Sequence, residues 1–421
     1  MERIAFLFTG QGAQFIGMGK MLYDKYTISR QTFEEAGDVL GFDMARLCFE
    51  DSLTNLSKTE NAQPAILTAS VAAYRAYMQE IGIPPEYCAG HSFGEYSALT
   101  CAGALRFSEA VRLVRARGLL CARVAASGTG AMTIVEGVTQ EVVEEECSRA
   151  SDKNGFASIN VFNDRRQFSI AGHQEAVERA ETALLERGAN ITPLLMSAPF
   201  HSRLMEPIVE ELYSELLSCK FKKPRCPVIS NVTGLPYRNK EEIARMLVLQ
   251  AVSPVQWTSS MKYLFDNGIT LAIEMGPKNV LTNLVKSNTP EIRAFCYGQP
   301  EHRNKLHEIL ETKSRARKKY HTVISSCLAA AIATPNCNSN KDEYIRGVIE
   351  PYRIIERMQA EQIKQGTQPS VEEMKYALRM LRIIFNTKGV SLEEQEVWFE
   401  NMLDETGTNY LLGDFVKIMV A

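Results

Sequence analysis

The stretch AGHSFGEYSAL (89–99) places Ser92 between two glycines, Gly90 and Gly94, in a G-x-S-x-G pattern. The residues before the serine (87–91) predict a short strand, and those after it predict a helix. Such a strand-to-helix turn is a nucleophile elbow, in which small neighbours permit the sharp turn. The helix N-terminus would offer N–H groups and partial positive charge to an oxyanion. A chance match is the alternative, which the flanking strand and helix disfavour.

A nucleophilic serine needs a base, and histidine is the first candidate. His201 lies in SAPFHSRL, where the α/β pattern resumes after an apparent insertion, although a lone histidine is more often structural than catalytic. His91 precedes Ser92 but is expected to point to the other side of the strand, so we predict a packing role for it. The sequence holds six histidines: His91, His173, His201, His302, His307 and His321.

Arg117 is a charged residue that does not fit the pattern of its helix. FSEAVRLVRARGLLCARV (107–124) predicts an amphipathic helix with Ser108 as its N-cap. Arg112 and Arg115 fall on the polar face, where a charge is solvated, whereas Arg117 falls within the apolar stripe. A charge that faces the interior needs a partner. Two alternatives stay open: a buried salt bridge, or a bound carboxylate held by two parallel hydrogen bonds.

The elements around these residues predict an α/β domain with a mostly parallel sheet. IAFLFTGQG (4–12) is a buried strand that enters a Gly-rich turn, residues 62–82 form a helix, and strands return at 227–234 and 270–277. Between them, residues 127–197 follow a β-α-β-β-α-β order, which is the ferredoxin-like pattern. We interpret this segment as an insertion, because the α/β pattern resumes after it.

The C-terminal part of the chain, 299–421, predicts an all-helical appendage. SVEE (370–373) and SLEE (391–394) match the capping-box signature, and Gly389 and Gly407 fit helix ends.

Composition narrows the class of protein. The chain has 421 residues, enough for two or three domains, with 45% hydrophobic and 23% charged residues, which is ordinary for a soluble globular protein. The net charge of −3 gives no indication of a nucleic-acid partner. The apolar run IAFLF (4–8) is too short for a signal peptide or a membrane span. Ten scattered cysteines without a C-x-x-C pair predict reduced thiols in the cytoplasm, with no disulfide framework and no structural metal.

Taken together, these residues resemble those of the malonyl-CoA:acyl carrier protein transacylases, the acyltransferases of fatty acid and polyketide synthesis. The resemblance covers about residues 1–298. The matching stretches, in family order, are FTGQGAQFIGMG (8–19), AQPAILTASVA (62–72), AGHSFGEYSAL (89–99), VRARG (114–118), NDRRQFSIAGH (163–173), APFHS (198–202), LQAVSPVQW (249–257) and EMGPKNVLTNL (274–284).

The resemblance implies an α/β-hydrolase-like subdomain (1–126 and 198–298) with a ferredoxin-like insert (127–197). The remaining residues, 299–421, would be a helical extension or linker. An extension of this size makes the chain most similar to a trans-acting acyltransferase of a polyketide synthase.

The resemblance also implies the catalytic roles. Ser92 would be the nucleophile and His201 its base, while the backbone N–H groups of Gln11 and Phe93 would form the oxyanion hole. The backbone carbonyl of Gln250 would orient His201, so that no acidic third residue is required. Many relatives have leucine where this chain has Phe93, a minor change if only the N–H group is used.

Substrate contacts are implied in the same way. Arg117 would bind the malonyl carboxylate, and Gln63 and Asn163 match family positions near the site. Phe200 precedes His201, and in polyketide acyltransferases a phenylalanine there accompanies malonyl, whereas a serine accompanies methylmalonyl. The ring would fill the space that an α-methyl group needs.

The implied reaction is ping-pong: Ser92 takes malonyl from coenzyme A as an ester, and the phosphopantetheine thiol of an acyl carrier protein removes it. We expect no cofactor and no metal, and neither nucleic acid nor membrane as a partner, in a monomer or in part of a multidomain synthase. Two alternatives are an acyl hydrolase of the same fold, whose members typically lack the arginine, and a non-catalytic scaffold that binds carrier proteins.

A basic run begins the appendage. It could steer the docking of an acidic carrier protein, or it could be a solvated helix face. The run consists of Lys313, Arg315, Arg317, Lys318 and Lys319.

Overall fold

The computed structural model describes residues 2–194, 198–320 and 322–420, with the backbone alone for 313–320 and Tyr410. The chain divides into two compact units. The first holds the residues up to 303 apart from 26–31 and 75–84, and the second holds those two segments together with the residues from 304 onward. No helix among the described residues is both long and apolar enough to cross a membrane. The same residues contain no group of His, Cys, Asp or Glu side chains that could hold a metal ion.

The strands found among the described residues all lie in the first unit. In chain order they are β1 (Ile4–Phe8), β2 (Tyr87–Gly90), β3 (Gly130–Glu136), β4 (Ala157–Phe162), β5 (Gln167–His173), β6 (Asn190–Pro193), β7 (Val228–Ile229), β8 (Leu271–Met275) and β9 (Arg293–Cys296).

The helices connect these strands and make up the C-terminal part. As far as α13 they are α1 (Lys20–Lys25), α2 (Thr27–Leu40), α3 (Met44–Phe49), α4 (Leu53–Ser57), α5 (Thr59–Glu80), α6 (Gly94–Cys101), α7 (Phe107–Ala126), α8 (Gln140–Ala150), α9 (Gln174–Glu186), α10 (Val209–Ser218), α11 (Ile243–Val252), α12 (Trp257–Asp266) and α13 (Val280–Asn288). The later helices are α14 (Pro300–Tyr320), α15 (Val323–Ala333), α16 (Lys341–Tyr344), α17 (Glu350–Gln365), α18 (Val371–Lys388), α19 (Leu392–Thr406) and α20 (Asn409–Val420).

The central sheet has five strands in the order β7-β2-β1-β8-β9, and every neighbouring pair is parallel. Strand β1 is buried at every position, as expected of a parallel strand covered on both faces. The α/β class and the parallel sheet predicted from the sequence are confirmed. Because β1 and β2 are parallel neighbours, the Gly-rich turn after β1 and the serine turn after β2 leave the sheet at the same edge.

A second sheet has four strands in the order β4-β5-β3-β6, and every pair is antiparallel. Along the chain its elements follow one another as β3-α8-β4-β5-α9-β6. Apolar residues of the two helices pack with those of the sheet, among them Val143, Leu184, Phe168 and Ile170. Residues 195–197 of the predicted insert lie outside the described residues.

The C-terminal helices α15 to α20 contribute to a core of their own, in which Leu381, Phe385 and Phe399 are fully buried. The predicted helix ends are confirmed. Ser370 and the Glu373 side chain form a reciprocal capping box at the start of α18, and Gly389 and Gly407 adopt left-handed C-cap conformations. At α19 only one half of the predicted box is found among the described residues: Ser391 Oγ accepts from the backbone N–H of Glu394 at 3.3 Å.

Three details differ from the prediction. Helix α7 begins at Phe107 with Arg106 as its N-cap, so the Ser108 cap was wrong: Ser108 lies inside the first turn. Arg115 is half-buried rather than merely solvated, and its Nη1 donates to the Glu60 carbonyl at 2.6 Å. The segment 227–234 contributes only a two-residue strand, β7. The side chains of the basic run, Lys313, Arg315, Arg317, Lys318 and Lys319, lie outside the described residues.

Candidate active site

Ser92 occupies the turn between β2 and α6, with a backbone φ of +53°. The flanking glycines are required by contacts with main-chain atoms. A Cβ on Gly90 would lie 2.0 Å from the carbonyl oxygen of Gly94, and a Cβ on Gly94 would lie 2.1 Å from the carbonyl oxygen of Phe8. Both distances are far below van der Waals contact, so the predicted strand-to-helix turn is confirmed and only glycine fits on either side of it.

His201 lies beside Ser92, with its Nε2 2.5 Å from Ser92 Oγ. Its side chain is buried, with 2% of the residue exposed. His201 also has a positive φ, +59°, which is uncommon for a residue with a side chain. Strain of this kind costs on the order of 1–3 kcal/mol per residue and persists only where the surrounding structure holds it. The two residues that the sequence paired as nucleophile and base are therefore in contact, each in a strained conformation.

The C-terminal end of α11 orients the imidazole. His201 Nδ1 lies 2.7 Å from the Gln250 carbonyl oxygen, and the His201 backbone N–H donates to the Ala251 carbonyl at 3.1 Å. The Gln250 carbonyl is free to accept because the residue four positions on is Pro254, which has no N–H. Since a carbonyl can only accept, Nδ1 carries the proton and Nε2 is left to accept from the serine hydroxyl.

The surroundings of His201 keep its ring neutral. Burial, assisted by the positive charge of Arg117, lowers the pKa of His201 to about 3, although the hydrogen bond to the Gln250 carbonyl opposes the shift. A neutral imidazole is the form that can take a proton from serine. When the ring becomes charged, the partial negative charge at the C-terminus of α11 stabilises it. Among the described residues, no carboxylate contacts His201, so the helix end and its carbonyls take the position of an acidic third residue.

Two backbone N–H groups are available near the serine. Those of Gln11 and Phe93 donate no hydrogen bond to any described residue. Phe93 immediately precedes α6, and Gln11 lies in the turn after β1. A Cβ on Gly10 would lie 2.6 Å from the His91 carbonyl oxygen, so the absence of a side chain there lets this turn approach the elbow closely.

Arg117 is 2% exposed, and its Nε has no hydrogen-bond partner in the described structure. The guanidinium carbon lies 5.3 Å from the centre of the Tyr96 ring and 6.0 Å from that of Phe93, both within cation–π range. None of the described carboxylates lies within 4.0 Å of its nitrogen atoms. Of the two alternatives for this arginine, the buried salt bridge is therefore not found among the described residues.

The helix of Arg117 packs closely against the start of α5. A Cβ on Gly118 would lie 2.5 Å from Glu60 Cα, so only glycine permits this approach next to the arginine. Gln63, on α5, is fully buried with its Oε1 unpartnered, and its Nε2 lies 3.5 Å from Gln11 Oε1. The predicted residues Gln11 and Gln63 are thus brought together.

Two other predicted residues, Asn163 and Phe200, lie next to His91 and His201, respectively. The Asn163 Oδ1 lies 2.7 Å from His91 Nε2, and the His91 ring contacts Trp257 edge-on at 5.2 Å. Phe200 is buried, with its ring 6.4 Å from that of His201, and its carbonyl accepts from Asn160 Nδ2 at 2.7 Å. His321 lies outside the described residues.

Sequence analysis missed Glu95, which is fully buried in the first turn of α6. Its carboxylate accepts hydrogen bonds from Gln250 Nε2 at 2.8 Å and from the Tyr237 hydroxyl at 2.5 Å. The signal that could have found it is the one that identified Arg117: a charged residue within an otherwise apolar helical segment, FGEYSALTCAGAL.

Comparison with known proteins places this site in a family. Residues 5–326 match the family model described as an acyl transferase domain. A malonyl CoA-acyl carrier protein transacylase of Bacillus subtilis is 37% identical over 395 residues, which cover 94% of this chain and 99% of that protein. The enzyme of the same name from Escherichia coli K12 is 41% identical over 301 residues, or 71% of this chain and 97% of that one.

Solved structures of the same kind of enzyme resemble this chain in fold. The malonyl CoA-acyl carrier protein transacylase of Coxiella burnetii has a TM-score of 0.71 at 34% identity, covering 73% of this chain and 98% of that one. A type II polyketide synthase acyl-carrier protein in complex with its malonyl-transacylase gives a TM-score of 0.71 at 37% identity, over 73% of this chain and 99% of the other. The Bacillus subtilis match spans 94% of the chain, so it extends well into the C-terminal helices, which these structures do not cover in full. The chain therefore belongs to the acyl transferase family, with the malonyl-CoA:acyl carrier protein transacylases as its relatives.

Proposed function

We propose that the protein transfers a malonyl group from malonyl-CoA to the phosphopantetheine thiol of an acyl carrier protein, for polyketide or fatty acid synthesis. The observation that carries this proposal is the contact of 2.5 Å between Ser92 Oγ and His201 Nε2, beside a buried arginine that lacks a carboxylate partner among the described residues. The relatives named malonyl CoA-acyl carrier protein transacylases support the choice of substrate and acceptor.

In the first half-reaction, Ser92 Oγ attacks the thioester carbonyl of malonyl-CoA while His201 Nε2 takes the hydroxyl proton. Charge develops on the carbonyl oxygen, and the unpartnered N–H groups of Gln11 and Phe93 are the donors that would stabilise it. The C–S bond then breaks, His201 returns the proton to the coenzyme A sulfur, and malonyl stays on Ser92 as an ester.

In the second half-reaction, His201 takes the proton of the carrier protein's phosphopantetheine thiol, and the sulfur attacks the ester carbonyl. The same N–H groups stabilise the oxyanion, the C–O bond breaks, and His201 returns the proton to Ser92 Oγ. The enzyme needs no cofactor in this scheme, since both chemical steps are proton transfer and acyl exchange.

Substrate choice follows from two side chains. Arg117 would hold the malonyl carboxylate through two parallel hydrogen bonds, as guanidinium groups do with carboxylates. Phe200, buried beside His201, would occupy the space that an α-methyl group requires. Gln63 has an unpartnered buried amide oxygen, and with Asn163 it would complete the lining of the site.

We further propose that residues 1–298 form an α/β-hydrolase-like subdomain (1–126 and 198–298) and a ferredoxin-like insert (127–197). Support comes from the parallel five-stranded sheet and from the antiparallel order β4-β5-β3-β6 with two helices between its strands. The helical extension or linker would be 299–421, and the second compact unit includes all residues from 304 onward. A cytoplasmic location remains a prediction from the cysteine content.

The proposal is tested by the mass of the intact protein after mixing with malonyl-CoA, with and without a carrier protein. Wild type should gain one malonyl group and lose it to the carrier protein, whereas Ser92→Ala should gain none. A malonyl adduct of undiminished yield on Ser92→Ala would exclude Ser92 as the nucleophile. An adduct that water removes as fast as the carrier protein does would favour the acyl hydrolase alternative.

A further inference from the structure

We propose that Glu95 is a positioning residue for malonyl transfer. Through the side chain of Gln250, it keeps Ser92 Oγ within hydrogen-bond distance of His201 Nε2. This inference rests on the proposed function, because it concerns the same nucleophile and base. Glu95 itself is not placed against the substrate.

Glu95 is a buried carboxylate without a cation. It is fully buried, and among the described residues no lysine, arginine or histidine nitrogen lies within 4.0 Å of it. Instead it accepts from the Tyr237 hydroxyl at 2.5 Å, from Gln250 Nε2 at 2.8 Å and from the Asn231 backbone N–H at 3.2 Å. Burying a carboxylate without a cation costs free energy of folding. Its position at the base of the nucleophile elbow therefore indicates a role in binding or in the geometry of the site.

Gln250 connects this carboxylate to both reacting residues. Its Nε2 donates to Glu95 and also to the backbone carbonyl of Ser92, each at 2.8 Å. Its own backbone carbonyl contacts His201 Nδ1 at 2.7 Å. One residue therefore holds the serine turn with its side chain and the histidine with its main chain, and Glu95 holds the side chain in place.

The conformation of the two reacting residues explains why such a connection is needed. Ser92 and His201 both have positive φ values, +53° and +59°, and relaxation of either would move Oγ away from Nε2. They lie 109 residues apart in the chain, so no local structure fixes their distance. The Glu95–Gln250 contact joins the first turn of α6, which follows Ser92, to the last turn of α11, which hydrogen-bonds His201.

A carboxylate suits this position because its oxygens accept from several donors together. Burial raises the pKa of Glu95 to about 7, and the hydrogen bonds from Tyr237, Gln250 and Asn231 oppose this shift. A glutamine could replace it in part: its oxygen could accept from Gln250 Nε2 while its amide donates to the Tyr237 oxygen. Glu95→Gln is therefore the conservative variant, and Glu95→Ala is the variant that removes the contact.

The chain offers a matched control in Glu274. This residue is 1% exposed, and burial raises its pKa to about 7 as well. Its carboxylate accepts from the backbone N–H groups of Leu281 and Thr282 at 3.0 and 2.8 Å, and none of its recorded hydrogen bonds involves Ser92, His201 or Gln250. Glu274→Ala thus removes an equally buried carboxylate without touching the proposed connection.

The experiment measures the rate of Ser92 malonylation against malonyl-CoA concentration, together with thermal melting. In Glu95→Ala the limiting rate should fall on the order of 100-fold with little change in KM, the effect of a small misplacement of reacting groups. Glu95→Gln should recover most of that rate, and Glu274→Ala should melt earlier while it keeps the wild-type rate. Gln250→Ala keeps the main-chain carbonyl and should lose rate as Glu95→Ala does.

Combining the two changes tests the connection itself. If Glu95 acts through Gln250, the double variant Glu95→Ala/Gln250→Ala should be no slower than Gln250→Ala alone. The inference would be overturned if Glu95→Ala and Glu274→Ala had equal malonylation rates. It would also be overturned if the rate losses of the two single variants multiplied in the double variant. Either result would leave the proposed function intact. If Glu95→Ala does not fold, a wild-type rate in Gln250→Ala overturns it equally. Wild type that gains no malonyl group would instead refute the proposed function.

Discussion

Replacing Arg117 with methionine separates its function from its structural role. The change removes the guanidinium but keeps much of the apolar volume between Tyr96 and Phe93. The arginine is 2% exposed and has no carboxylate partner among the described residues, so its burial is not offset by an ion pair. A buried charge without a partner is costly, so replacing it with an apolar side chain of similar volume should not lower the stability. We therefore expect Arg117→Met to melt at the wild-type temperature or above it, with the malonyl reaction impaired.

The size of the loss follows from the contact that disappears. Truncating one partner of a buried, hydrogen-bonded charge pair costs roughly 2–5 kcal/mol of interaction free energy. At about 1.4 kcal/mol per factor of ten, malonylation of Ser92 should slow by roughly 30-fold to a few thousand-fold. Acetyl-CoA has no carboxylate to pair with Arg117, so acetylation should keep its rate or become faster. The measured quantity is the ratio of the two acylation rates, followed by the mass of the intact protein.

Arg115 supplies the control on the same helix. It donates to the Glu60 carbonyl at 2.6 Å and to Asn61 Oδ1 at 2.5 Å, so it has structural partners. Arg115→Met should lower the melting temperature and leave the malonyl-to-acetyl ratio unchanged. The reasoning is refuted if Arg117→Met behaves in the same way, because Arg117 would then be a structural residue and the hydrolase alternative would regain support.

Four further predictions concern the base, the elbow and the acyl pocket. Burial lowers the pKa of His201 to about 3, so Ser92 malonylation should show no titration of this residue between about pH 8 and about pH 5. Because the pKa of Glu95 is raised to about 7, the pH profile is measured in Glu95→Gln as well, and a fall near pH 6.5 that persists in that variant would contradict the His201 argument. The lowered pKa of His201 makes the folded state bind fewer protons than the unfolded state, so the stability contributed by His201 is present above about pH 6.5 and is lost as the pH falls toward 3. Gly94→Ala should lower the free energy of unfolding by at least ~3 kcal/mol in denaturant titration, because its Cβ would meet the Phe8 carbonyl. The control Gly188→Ala has open space around the new Cβ and should lose only ~1–2 kcal/mol, the cost of its positive φ. Equal losses in the two variants would contradict the steric argument. Phe200→Ser should raise the yield of methylmalonyl adduct relative to malonyl adduct in a competition experiment, and an unchanged ratio would show that the ring does not limit the acyl group.

Apart from the residues implied by the family resemblance, the residues that the sequence identified are those with a local reason for their type. Gly90 and Gly94 flank Ser92 because the turn brings main-chain atoms within about 2 Å of where their Cβ atoms would lie. Ser370 and Gly389 begin and end α18 because the terminal N–H and C=O groups of a helix need partners. Such requirements involve neighbours in the chain or directly adjacent elements, and they leave a readable pattern.

Other features depend on packing between distant segments. A local pattern can mark such a residue as unusual, but it cannot identify the partner. Glu95 contacts Gln250, 155 residues away, so its importance became visible only when the ends of α6 and α11 met. The N-cap prediction at Ser108 failed because a serine near a helix start is compatible with several positions in the first turn.

By itself, the sequence determined the α/β pattern, the elbow at Ser92 and the interior position of Arg117, since periodicity and glycine placement encode them within a few turns of chain. The tertiary structure decided how these parts act together. It brought His201 to Ser92 across 109 residues, left Nε2 of the histidine to accept by placing the Gln250 carbonyl at Nδ1, and buried Arg117 away from any described carboxylate. The physical reason is that hydrogen-bond partners and burial are properties of the packed chain, whereas periodicity is a property of the local chain.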